Sequence, residues 1–269
     1  AEPSLQDATS GLDLFPCALS SLSCTTLMVP LDHRANDPDR TLDITFALSF
    51  ASNESRGILF YFVGGPGGSG LASAEGYLSS FDPSLVENMD IVFVDQRGTG
   101  PVHGLSCPKA QAAFDIAPAL LSDPDAILAT AKTYVADCAA EMDADDLLAV
   151  VNTDQAIRDS ELFRQTIGAP KVWLYGESYG TQLVQAYASQ FPTAVKGVIV
   201  DGVVDLTLTP EQFYRRYTLA SEQLLAETFA LCATLPACKA DMPGDAAKIY
   251  DDLAARIAAA PVSVPYTLA

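Results

Sequence analysis

The sequence predicts an α/β protein in which helices cover both faces of a mostly parallel sheet, and three observations carry that prediction. First, Gly57–Val63 (GILFYFV) and Asp90–Asp95 (DIVFVD) are continuous apolar runs of strand length, as strands buried on both faces read. Second, strand, helix, strand, helix, strand follow one another up to Val195–Asp201 (VKGVIVD), and parallel neighbours need crossovers of that kind. Third, Val172–Thr181 (VWLYGESYGT) reads as a short strand, a sharp Gly-x-Ser-x-Gly turn and the first residues of a helix.

Taken in order, residues 1–26 are polar and irregular. Leu27–Leu31 and Thr41–Ser52 read as strands, separated by a turn over Asp32–Arg40 rich in Asp, Asn and Pro. Leu42, Ile44, Phe46 and Leu48 alternate, which suits an antiparallel edge region. Gly57–Val63 runs into Gly64-Gly65-Pro66-Gly67-Gly68-Ser69-Gly70. A glycine-rich loop after a buried strand can cradle phosphate, but neither G-x-x-x-x-G-K-[ST] nor G-x-G-x-x-G fits here. Its other use is to offer bare backbone N–H groups to an oxyanion. Asp90–Asp95 ends in Gln96-Arg97-Gly98-Thr99-Gly100, and residues 106–148 read as mostly helical and acidic. Thr153 is placed to cap a helix with the stripe Ile157, Leu162, Phe163 and Ile167, stopped by Gly168 and Pro170. After the turn at Ser178 a helix runs to about Gln190, before the strand Val195–Asp201. Beyond Asp205, Pro210–Cys232 and Asp245–Ala260 are helical with no strand between them. This divides the chain into a core, 1–205, and the beginning of a helical cap, 206–269.

The chain has 269 residues, 49% hydrophobic and 18% charged, ample for a large core. A formal net charge of −19 argues against nucleic acid and anionic membranes as partners. No apolar run approaches the ~20 residues of a membrane helix. The sequence opens on Ala1 with no basic or apolar leader, as after removal of a signal peptide. Six cysteines (Cys17, Cys24, Cys107, Cys138, Cys232 and Cys238) include no C-x-x-C, and there are two histidines, so neither a zinc site nor another metal or cofactor is expected. Their even number points to disulfides and a secreted or periplasmic location. Six cysteines allow fifteen pairings. Nearest-neighbour pairing, Cys17–Cys24, Cys107–Cys138 and Cys232–Cys238, is the expectation.

Ser178 is the candidate nucleophile. A strand-to-helix turn pushes the hydroxyl out of the backbone and sets a helix N-terminus beneath developing negative charge. Val29-Pro30-Leu31-Asp32, Gly64–Gly70, Asp95–Gly100, Cys107-Pro108 and Gly176–Thr181, in that order, resemble the secreted α/β-hydrolases of the proline iminopeptidase and tripeptidyl aminopeptidase group. Val200–Asp205 (VDGVVD), Cys232 and Cys238 fit the tripeptidyl branch better. The resemblance implies the α/β-hydrolase fold and an exopeptidase that acylates Ser178 and releases residues from a free peptide N-terminus. It makes the backbone N–H groups of Tyr179 and Gly65 the oxyanion donors. Val63 departs from the pattern, since proline iminopeptidases often carry His there.

Glu177 also resembles the Gly-Glu-Ser-Tyr turn of serine carboxypeptidases, where the Glu helps hold the substrate carboxylate. A serine carboxypeptidase or a secreted carboxylesterase is therefore the alternative, and a non-catalytic hydrolase-fold binding protein the remote one. Glu211 stands roughly where proline iminopeptidases place a carboxylate for the substrate amine, although Pro210 and Glu211 also simply suit a helix start. Asp95 and Arg97 are expected to form a structural ion pair or to bond the adjacent loops.

A triad on this fold runs Ser, then Asp or Glu, then His. Only His33, in a polar turn and expected to be exposed, and His103, in the loop after Gly100, are present, and both precede Ser178. The expected partner is thus a C-terminal segment or second chain of the same precursor, which would supply the Asp and the His.

Overall fold

The computed structural model describes residues 4–18, 20–35, 37–115, 123–260 and 262. They form two compact units, Ala1–Val204 and Asp205–Ala269.

The first unit is built on one seven-stranded sheet: β1 (Phe15–Pro16), β2 (Ser23–Pro30), β3 (Thr41–Ser49), β4 (Ile58–Phe62), β5 (Asp90–Val94), β6 (Val172–Glu177) and β7 (Val195–Asp201), in the order β1-β2-β3-β5-β4-β6-β7. β5, β4, β6 and β7 run parallel, and β3, β2 and β1 extend the sheet with antiparallel pairings. Alternation along the parallel strands divides the core between the two faces. Ile58, Phe60, Phe62, Val92 and Val94 pack on one face with Ile157, Phe163, Leu183 and Tyr187. Those partners come from α8 (Thr153–Thr166) and α9 (Gly180–Gln190). Leu59, Tyr61, Val63, Ile91 and Phe93 pack on the other with Leu71 and Ala74 of α2 (Gly70–Ser80) and with Cys17 and Cys24. Burying each such large side chain contributes about 1.5–3 kcal/mol.

Further helices fill the connections: α1 (Leu5–Ala8), α3 (Pro83–Asn88), α4 (Gly100–His103), α5 (Pro108–Asp115), α6 (Pro124–Met142) and α7 (Asp145–Leu148). The helical reading of 106–148 holds for α5, α6 and α7, while 116–122 lie outside the described residues. The second unit contains α10 (Pro210–Cys232), α11 (Pro236–Asp241) and α12 (Ala246–Ala259). A Thr209–Gln212 capping box opens α10, Asp245 caps α12, and the Phe229 and Tyr250 rings meet at 5.5 Å. The six cysteines pair as Cys17–Cys24, Cys107–Cys138 and Cys232–Cys238.

Four local expectations are corrected. Residues 1–26 are not irregular throughout: they hold α1, β1 and the first four residues of β2, which spans Ser23–Pro30 rather than Leu27–Leu31. β3 stops at Ser49 rather than Ser52, because the Ala51 N–H leaves the ladder for the buried Asp90 carboxylate (2.9 Å), which also accepts from Leu5 N. Asn152 rather than Thr153 caps α8, accepting from Gln155 N at 3.1 Å, while the Thr153 hydroxyl meets Tyr179 Oη at 2.7 Å. His33 is not exposed: its side chain keeps 12% of its surface, and Nε2 lies 2.7 Å from Asp159 Oδ1.

Candidate active site

β6 delivers Glu177 to its carboxyl end, and α9 starts at Gly180. The two residues between make the turn. Ser178 holds φ at +52°, a left-handed conformation that costs a non-glycine residue about 1–3 kcal/mol and persists only where the surroundings fix it. Here they do. Ser178 N donates to Asp201 O of β7 at 2.8 Å, and Ser178 O accepts from Thr181 N (3.0 Å) and Thr181 Oγ1 (2.7 Å). Close approach completes the constraint: a methyl on Gly176 would stand 2.3 Å from Gly180 O, and one on Gly180 2.1 Å from Phe62 O.

The Gly64–Gly68 loop leaves β4 close to the serine: a methyl on Gly64 would stand 2.8 Å from Ser178 Cβ. Gly68 N donates to Gly64 O at 3.2 Å, and Ser69 caps α2. Neither Gly65 N nor Tyr179 N donates to a turn or cap acceptor among the described residues. Tyr179 N follows the serine directly, and Gly65 N follows the glycine that packs against its Cβ.

Ser178 Oγ has no hydrogen-bond partner among the described residues. Neither histidine is bonded to it. His33 is held by Asp159, and His103 is exposed at the end of α4 beside Asp43, Thr45 and Asp95. Among the described residues, no group of three or more His, Cys, Asp or Glu side chains could hold a metal ion.

Glu177 turns its carboxylate to the α2 face, where it accepts from Tyr61 Oη at 3.3 Å and from Tyr77 Oη. Next to it, Tyr175 Oη donates to Asp201 Oδ2 at 2.8 Å. Burial, then the neighbouring carboxylate, pushes Tyr77 and Tyr175 each up to about 12. Burial also raises Tyr61, with Tyr77 and Glu177 adding to it. Glu211 is exposed in the first turn of α10, where an acid favours the helix dipole.

Asp95 and Arg97 do not pair with each other. Asp95 Oδ1 accepts from Ser69 Oγ (2.7 Å) and Leu71 N (3.1 Å), tying the glycine loop to the end of β5. Arg97 is 1% exposed and clasps Asp159 through Nε (2.9 Å) and Nη2 (2.7 Å). Its remaining N–H groups reach the carbonyls of Leu31 (2.6 Å), Pro30 (3.3 Å) and Val150 (3.5 Å). Sequence reasoning missed Asp159. The available signal was a carboxylate among the inward positions of α8, beside Ala156, Ile157, Ser160 and Phe163.

The chain belongs to the α/β-hydrolase fold family, whose model matches residues 58–238. Among its relatives, Serine protease Hip1 of Mycobacterium tuberculosis is 29% identical over 242 residues, covering 86% of this chain and 45% of that protein. Tripeptidyl aminopeptidase of Streptomyces lividans is 29% identical over 219 residues, covering 74% and 39%. Proline iminopeptidase of Aeromonas sobria is 26% identical over 200 residues, covering 70% and 39%. The chain thus spans less than half the length of these curated relatives.

Proposed function

We propose that the chain is the nucleophile-bearing part of a serine exopeptidase that releases residues from a free peptide N-terminus. The observation that carries this is Ser178 in a left-handed turn with Gly64 packed against its Cβ, and Gly65 and Tyr179 supply the N–H groups for the oxyanion. Ser178 Oγ attacks the scissile carbonyl and gives its proton to an imidazole. The carbonyl oxygen takes the negative charge between the two N–H groups. The C–N bond then breaks, the leaving amine takes the proton, and water releases the acyl group. One oxyanion donor is worth about 2.7–4 kcal/mol of transition-state stabilisation, and losing a triad base costs orders of magnitude in rate.

The imidazole and its carboxylate come from a C-terminal segment or second chain of the same precursor. The support is chemical and geometric. Both histidines of this chain are engaged or placed elsewhere. β7 pairs with β6 on one side, and Val198, Ile199 and Val200 remain 41–44% exposed. Apolar residues on both faces of an open edge suit a further strand. Three disulfides, and relatives named as a serine protease and as aminopeptidases, fit a peptidase working outside the cytoplasm. Among the described residues no helix is long and apolar enough to cross a membrane.

The test compares a tripeptidyl anilide with its N-acetylated form on the protein as its source makes it. We expect at least tenfold faster turnover of the free amine, abolished in Ser178→Ala. Equal rates would favour the carboxylesterase, and release of C-terminal residues the serine carboxypeptidase. No turnover of any substrate would leave the non-catalytic binding protein.

A further inference from the structure

Beside the oxyanion donors lies a cavity of about 380 Å³, within the range of small-ligand pockets. Its wall includes Pro66, Gly67, Gln96, Thr99, Val151 and Tyr179. Two features of that wall decide what it can hold.

The first is the absence of usable charge. Arg97 contributes to the lining, yet its N–H groups are all committed to Asp159 and to the carbonyls of Leu31, Pro30 and Val150. Asp159, its counter-ion, is buried, and Asp95 is already bonded by Ser69 and Leu71. A charged group entering the cavity would lose its hydration and meet no opposite charge to replace it. Pro66, Val151, Ala156 and the Tyr179 ring offer apolar surface instead.

The second is Gln96. Its Nε2 is a buried donor with no acceptor in the protein, the one such side-chain atom among the described residues. A buried donor left unmade is unfavourable, and an acceptor brought to it by a ligand would relieve that. The terminal torsion of glutamine is broad, so the amide can turn toward the cavity when an acceptor arrives.

The position fixes which part of a substrate enters. Tyr179, whose N–H is one proposed oxyanion donor, lines the cavity, and Gly65, which offers the other, directly precedes Pro66 and Gly67 of its wall. With the scissile carbonyl oxygen between those donors, the nearest side chain is that of the residue carrying this carbonyl. We propose that this cavity is the pocket for that acyl-side residue and selects a neutral side chain with an apolar stem and a terminal carbonyl, glutamine above all, through Gln96. The proposal rests on the exopeptidase reading for its orientation.

The test measures binding rather than turnover. The Ser178→Ala form of the protein as its source makes it is titrated by calorimetry with Ala-Ala-Xaa, where Xaa is glutamine, norleucine, lysine, glutamate or glycine. Glutamine should bind about threefold tighter than norleucine, and lysine and glutamate at least tenfold weaker than either. Gln96→Leu should erase the advantage of glutamine over norleucine. Val151 is 37% exposed and so accepts a larger side chain. Val151→Trp should fill the cavity and bring glutamine and norleucine to within about threefold of glycine. Each result is a ratio between peptides on one preparation, so any loss of folded protein cancels. Equal affinity for all five peptides, tighter binding of lysine or glutamate, unchanged ratios in both variants, or no binding would overturn the pocket. Discrimination among peptides without anilide turnover by the wild-type protein would sink the exopeptidase reading and keep the pocket. Turnover without discrimination would do the reverse.

Discussion

Strand β5 carries Ile91, Val92, Phe93 and Val94, each 5% exposed or less, whereas β7 carries Val198, Ile199 and Val200 at 41–44%. The two strands have similar composition and run parallel in one sheet. β5 lies between β3 and β4 with packed layers on both faces, and β7 has β6 on one side only. An apolar strand reports the environment it is suited to, and β7 is suited to one that the described residues do not supply. Within the second unit, Tyr214, Tyr217 and Leu224 of α10 are likewise 65–67% exposed. The glycine loop and the serine turn, by contrast, rest on the well-packed strands β4 and β6 and are fixed by hydrogen bonds within the chain.

The largest expected effect separates the two strands directly. Phe93→Ala should cost about 3–5 kcal/mol of unfolding free energy by denaturant titration. Ile199→Ala should cost no more than about 1 kcal/mol in this chain alone, and about 2–5 kcal/mol once the proposed complementing segment covers β7. An equal cost in both settings would break the comparison.

A smaller effect tests the edge itself. Val198→Lys with Val200→Lys should keep this chain monomeric at concentrations where the unaltered chain associates, read by light scattering, because charge on an exposed edge opposes strand pairing. The same pair of substitutions should block association with the complementing segment.

The smallest effect lies far from β7. Burial pushes the Glu161 carboxyl up, but hydrogen bonds from Arg164, Tyr187 and Gln165 outweigh it and hold the carboxyl below its usual range. The unfolded chain then takes up the proton first. The stabilisation is complete above the ordinary glutamate value of 4.5 and is lost as pH falls through the lower folded-state value. Thermal midpoints should drop over that acid window, and less steeply in Glu161→Gln.

The sheet strands were readable because a buried parallel strand leaves a local signature, and the bounds of β7 and α10 coincide with their apolar and capping signals. The serine turn was readable for the same reason, since strand, glycines and helix are contiguous. Elements of four to six residues such as α1, α4 and α11 were not, because one or two hydrogen-bonded turns leave little periodicity. Nor was the Arg97–Asp159–His33 cluster, whose members are 62 and 126 residues apart and meet only through the fold. Thr153 was misread as a cap because Asn152 is an equally good one, and the Tyr179 hydroxyl that engages Thr153 is not local.

In the proposed enzyme the serine turn is complete in itself and its base is held by another segment. The most direct measurement is the rate of fluorophosphonate labelling of residues 1–269 alone against the protein as its source makes it, with the adduct mapped by peptide mass. Labelling at Ser178 is expected in the latter, and a rate at least a thousandfold lower in the former, on the scale of a lost triad base. Equal rates in the two forms, or an adduct on any other residue, would contradict it.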